Sequence, residues 1–162
     1  MDARVSTRAP IDYLLHLADN ALVLGQRNAE WCGHAPILEE DMAMANNSLD
    51  LIGQARLLYQ YAAERLAGDV RAPRGAHWPA GPLTEDTLAY FRDVPEFRNY
   101  TLLELPHSPP LVPTGVGDRD WGVTIVRNFL YSALMVLVWE RLQQSADPQL
   151  AAIAAKSLKE VR

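Results

Sequence analysis

The chain has 162 residues, 49% hydrophobic and 22% charged, with a formal net charge of −5; it is long enough to bury roughly two thirds of its unfolded surface in one core and too apolar to be disordered. Its 15 Lys and Arg are scattered without a basic stripe, which removes the electrostatic footprint expected of a nucleic-acid binder. Cys32 stands alone, which excludes an internal disulfide framework and a cysteine zinc site and fits a reducing compartment.

Residues 1–10 carry Arg4 and Arg8 with no apolar core behind them, unlike a secretory signal. The longest apolar run, Phe129 to Trp139, is interrupted by Ser132 and falls short of the ~20 residues that span a bilayer. The expectation is a cytoplasmic protein with no membrane partner.

From Ile11 to about Gln26, Leu14, Leu17, Ala21 and Leu24 recur at offsets of three and four, with Ile11, Leu15, Ala18 and Leu22 beside them. This predicts an amphipathic first helix with Asp12, His16, Asp19 and Asn20 on its wet side. Gly33 breaks it, and Pro36 suits the first position of a second helix whose opening turn holds Glu39, Glu40 and Asp41. The second helix is expected over 35–67, roughly 50 Å long. Leu38, Met42, Ala45, Leu49 and Ile52 form one predicted buried stripe, continued by Ala55, Tyr59, Ala62 and Leu66. Of its polar residues Asn46, Asn47, Asp50, Gln54 and Arg56, Asp50 and Gln54 lie one turn apart and are candidates for a buried polar network, with solvent-facing positions as the alternative.

Residues 68–83 are rich in Gly and Pro and read as a loop, with His77 and Trp78 at its centre. These two are candidates for a partner contact, since Trp is common at interfaces; the alternative is a Trp folded back on the helices. A short helix is expected after Thr84, ending before Pro95, and a second from Pro95 to about Leu105. Residues 106–118 form another Pro- and Gly-rich crossing. Asp118 or Asp120 can cap a third long helix through Ile125, Phe129, Ser132, Val136 and Trp139 to about Ser145, apolar nearly all round in its second half, as a central bundle helix would be. Asp147 and Pro148 open a fourth, with Leu150, Ile153, Ala154, Leu158 and Val161 on its buried face. The expectation is an all-α single domain over 1–162, a ferritin-like four-helix bundle with one long crossover.

A di-iron centre in such a bundle needs Glu-x-x-His on two helices and a carboxylate from each of the others. His16, His34 and His77 follow Tyr13, Trp31 and Arg74, and only Glu104 with His107 matches in letters. Pro106 between them disrupts a helical turn. No metal site is therefore expected in this chain, and no catalytic residue is assigned.

The stretch LADNALVLGQRNAEWCGHAPILEEDMAMANNSLDLIGQARLLYQYAAE, residues 17–64, resembles the PaaC-type subunits of phenylacetyl-CoA epoxidases, as do EDTLAYFRD at 85–93 and DPQLAAIAAKSLKEVR at 147–162. The resemblance implies a ferritin-like fold and membership of a multi-subunit, oxygen-dependent complex acting on the ring of phenylacetyl-CoA. It also implies that iron sits in the paralogous catalytic subunit, the expected partner, with no cofactor in this chain. That subunit has Asp-Glu-Ala-Gly-His where this chain has Asp50-Leu51-Ile52-Gly53-Gln54, so Leu51 and Gln54 replace two ligands; Ala21 and Val161 replace two more. The implied role is structural, a pseudo-enzyme. A stand-alone oxygenase or oxidase with an unorthodox metal site, and a helical adaptor unrelated to aromatic breakdown, are the alternatives. Members of this group continue beyond this length, so the chain is expected to be truncated within its fourth helix and to self-associate or depend on a partner.

Overall fold

The computed structural model describes residues 8–67, 78, 81–107 and 120–162. Every regular element among them is helical: α1 (Ile11–Ala29), α2 (Leu38–Ala67), α3 (Glu85–Tyr90), a 3₁₀ turn (Val94–Glu96), α4 (Thr101–Glu104), α5 (Trp121–Leu142) and α6 (Pro148–Val161). The architecture is a ferritin-like helical bundle whose crossover descends through α3, the 3₁₀ turn and α4. His77, Asp118 and most of the two Pro-rich segments lie outside the described residues.

α1 ends in tight turns, and Gly33, at φ +78°, takes the left-handed conformation that lets the chain reverse. The second helix starts at Leu38, two residues after Pro36, and the Asp41 carboxylate accepts the Gly33 amide at 2.8 Å. α1 and α2 pack along their length. They approach closely at Gly25, where a Cβ would lie 3.1 Å from Ile52 Cγ1 and 3.3 Å from the Ser48 carbonyl, so that a side chain there forces its neighbours to shift.

Local start signals work as the sequence predicts. Thr84 accepts from the Thr87 amide and opens α3, Asp120 accepts from Val123 and opens α5, and Asp147 accepts from Gln149 and Leu150 and opens α6. The core gathers Leu14, Leu24, Leu58, Tyr59, Met135 and Trp139 with the inner face of α6, Leu150, Ile153, Ala154 and Leu158. α6 packs against both α5 and the second half of α2.

Three expectations are overturned. Asp19 and Asn20 are fully buried, not on a wet stripe. The predicted stripe in the first half of α2 is largely open: Leu38, Met42 and Leu49 are more than half exposed, and Ile52 is also exposed, whereas Ala55, Tyr59, Ala62 and Leu66 are buried. The cause is coverage, because only Met44, Ser48 and Leu51, on the side toward α1, are buried before residue 54. α5 is likewise not enclosed all round; Ile125 and Phe129 face outward, and Trp139 faces in. By length and composition alone, α5 is apolar enough to cross a membrane, a property the interrupted run at 129–139 conceals.

Candidate functional site

The interior is organised by buried polar clusters that tie the crossover to the long helices. The first surrounds Asp19 on α1. Its carboxylate accepts Tyr59 Oη at 2.5 Å, Arg92 Nη1 at 3.1 Å and the Arg98 amide at 2.8 Å, and Arg92 Nη2 donates to it as well. The guanidinium also donates to the Leu88 and Glu96 carbonyls and lies 4.3 Å from the centroid of the Phe97 ring. Both charges of this pair are almost entirely buried, an arrangement that survives only when every lone pair and proton is occupied. Burial and the neighbouring Asp19 carboxylate push the Tyr59 hydroxyl far up, so it stays a donor. The next residue, Asn20, accepts the Tyr100 amide at 2.7 Å and its amide nitrogen lies 3.2 Å from His16 Nε2, while His16 Nδ1 meets the Arg98 carbonyl at 2.5 Å. A carbonyl cannot donate, so His16 carries its proton on Nδ1.

The second cluster joins the end of α1 to α4 and α5. Trp31 Nε1 at 3.1 Å and Arg127 Nη2 at 3.1 Å converge on Nδ1 of buried His107, with Thr124 Oγ1 at 2.9 Å. Indole and guanidinium groups only donate. Nδ1 must therefore accept, and the ring is neutral with its proton on Nε2, 3.4 Å from a Glu30 carboxylate oxygen. Burial first, and the Arg127 charge second, hold the His107 pKa below its ordinary value, with Glu30 opposing them. Asn28 and Asn128 exchange side-chain hydrogen bonds of 2.7 and 2.9 Å nearby.

The third cluster closes the opposite end. Asp147 accepts Tyr61 Oη at 2.6 Å and the Ala9 amide at 2.8 Å besides capping α6, and Arg65 donates to the Ala9 carbonyl. Burial raises the Asp147 carboxyl, but these donors outweigh it and hold the pKa below the usual carboxylate value.

The positions predicted to stand where a paralogue holds metal are distributed over α1, α2 and α6. Ala21, Leu51 and Gln54 are buried, and Val161 is half-buried against the core. Gln54 Nε2 donates to Glu160 at 3.1 Å, and Glu160 also pairs with Lys156 at 3.1 Å. Asp50 is exposed and does not join Gln54: a network of the two is excluded because α2 is uncovered on that side, and Glu160 takes the place expected of Asp50. Glu104 and His107 do not share a helix face. α4 ends at Glu104, Leu105 is extended before Pro106, and Glu104 accepts from Asn99 at 2.8 Å while His107 turns into the core. Among the described residues, no three His, Cys, Asp or Glu side chains come together in a way that could hold a metal ion. The donors among the described residues do not fit the carboxylate-bridged pair that this type of bundle can carry. Trp78 is half-buried and packs against the core.

A helical bundle with a long crossover is the architecture of a ferritin-like protein, and residues 1–162 match the family model for phenylacetic acid catabolic proteins. The chain belongs to that family. Over 150 residues it is 45% identical to the C-type subunit of the 1,2-phenylacetyl-CoA epoxidase of Escherichia coli (strain K12), a match covering 93% of this chain and 50% of that relative. The chain thus spans about half the length of this relative.

Proposed function

We propose that this chain serves phenylacetate catabolism as a non-catalytic structural subunit of a cytoplasmic phenylacetyl-CoA epoxidase, supporting a separate di-iron catalytic subunit. The observation that carries this reading is the commitment of Gln54. The side chain at the position of a paralogue's histidine ligand is an amide already engaged with Glu160, beside apolar Leu51 and Ala21. The similarity to one subunit of a bacterial epoxidase supports the pathway and a multi-subunit setting. Burial of Asp19 and Arg92 in a shared hydrogen-bond network suits a support role, because groups locked in this way are not poised for proton transfer to a substrate.

The test is co-expression of this chain, affinity-tagged, with the catalytic subunit of the same epoxidase. The expected result is a stable complex in which phenylacetyl-CoA epoxidation is retained by Gln54→Ala. Absence of any complex, or loss of turnover in an intact complex carrying Gln54→Ala, would overturn the proposal.

A further inference from the structure

Residues 104–107 leave α4 as a short strap laid against the end of α1 and the start of α5, and every hold on it comes from another element. Arg27 on α1 donates to the Glu104 carbonyl at 3.0 Å, Arg127 on α5 donates to the Leu105 carbonyl at 2.7 Å, and the Asp120 amide donates to the His107 carbonyl at 2.9 Å. The buried His107 ring is the last hold, receiving Trp31 Nε1 and Arg127 Nη2 at Nδ1, each at 3.1 Å. Arg127 thus grips both the ring and the backbone of the strap, so displacing its guanidinium from the ring also strips the Leu105 carbonyl.

This seat takes only one form of imidazole. Nδ1 has a single in-plane lone pair and faces two groups that can only donate. If Nδ1 gains a proton, Thr124 Oγ1 at 2.9 Å can turn to accept it, and Trp31 keeps Thr124 as an acceptor at 3.0 Å; Arg127 Nη2 is left pointing at an N–H. The added charge finds little relief. Arg127 and Arg27 repel it, and the acid that attracts it is Glu30, 3.4 Å from Nε2, which is exposed and already pairs with Arg27 at 3.2 Å. Of the other acids at this end, Glu104 is taken by the Asn99 side chain, Asp120 by the Val123 amide and Asp41 of α2 by the Gly33 amide.

We propose that His107 is a proton-operated latch: with the ring neutral the strap is closed on α1 and α5, and with the ring protonated residues 104–107 leave them while the bundle stays folded. Leu103, fully buried, stops the release at α4. The change is local because the Asp19 and Asp147 clusters, which pin the rest of the crossover and the opposite end, share no side chain with this one. Release takes Leu105 away from Val126 and Leu130, with which it lines a groove along α5, so acid uncovers apolar surface there. The device is built from this chain alone and does not depend on a role in an epoxidase.

Hydrogen–deuterium exchange of the purified chain, followed from about pH 8 to about pH 5 and corrected for the intrinsic pH dependence of amide exchange, tests this. Below the ordinary histidine value of about 6.5, exchange over 101–107 and 120–127 should rise by up to about tenfold per pH unit, the limit for one linked proton, while 11–25 and 55–67 keep their protection. His107→Asn, which puts a non-titrating acceptor at the place of Nδ1, should keep the strap closed throughout. The nitrogen resonances of the ring in the unsubstituted chain give a second reading that needs no variant, since Nδ1 should gain its proton over the pH range in which protection is lost. A strap that stays closed across this range, protection lost equally from every helix, ring protonation at a pH where the strap is still protected, or the same loss in His107→Asn would overturn the proposal.

Discussion

The second half of α2 and the first half of the same helix are built from similar letters and live in different surroundings. Around Tyr59 and Tyr61, α2 is enclosed by α1, α3 and α6, and its phenols answer to Asp19 and Asp147. Around Met42 and Leu49, nothing described covers its outer side, and large apolar groups face solvent as they do along α5. The difference teaches that one helix can be covered along one half and leave its outer apolar side open along the other.

The comparison breaks most sharply at Asp19 and Arg92. Arg92→Leu leaves a buried carboxylate without its cation and should cost about 3–5 kcal/mol, measurable by urea denaturation. An Asp19→Leu/Arg92→Leu double variant that recovers part of this loss would show that the penalty lies in the orphaned charge. In the same enclosed region, Leu58→Ala should cost about 2–5 kcal/mol, whereas Leu49→Ala on the open half should change stability of the monomer by no more than about 0.5 kcal/mol. Equal effects would erase the distinction between the two halves.

Asp147→Ala removes a helix cap and the partner of Tyr61 and Ala9, with an expected loss of about 2 kcal/mol at neutral pH. Because its folded pKa is depressed, this contribution is present above the ordinary aspartate value of 3.8 and disappears as pH falls through the folded value. His107 acts in a separate window. Its folded pKa is also lowered, so the unfolded chain takes up a proton first as pH drops below about 6.5, and stability declines with a slope of at most about 1.4 kcal/mol per pH unit. His107→Gln should flatten that part of the profile while leaving the acid limb from Asp147; a slope that persists near pH 6 would exclude His107 as its source.

What is legible in the sequence is local. Thr84, Asp120 and Asp147 open helices because a cap acts on amides two or three residues ahead, and the inner face of α6 follows from spacing alone. The burial of Asp19 and Asn20 is illegible because their partners, Arg92, Arg98 and Tyr100, lie 73 to 80 residues away in a crossover whose path no periodicity specifies. A polar residue beside an apolar row reads as wet until such a partner is known. His107 escapes notice as an anchor for the same reason, its nearest donors being near the end of α1 and on α5. The exposed rows of α2 and α5 mislead in the opposite sense, since a stripe of Leu, Ile and Phe announces contact with something and cannot say whether that neighbour belongs to the same chain.

The decisive measurement is the metal content of the co-purified complex after its subunits are separated under conditions that keep iron bound. A chain that supports and does not react should carry far less than one iron, with the metal and its oxidised di-iron absorption found in the catalytic subunit. Two irons per copy of this chain, with that absorption, would contradict the scaffold role outright.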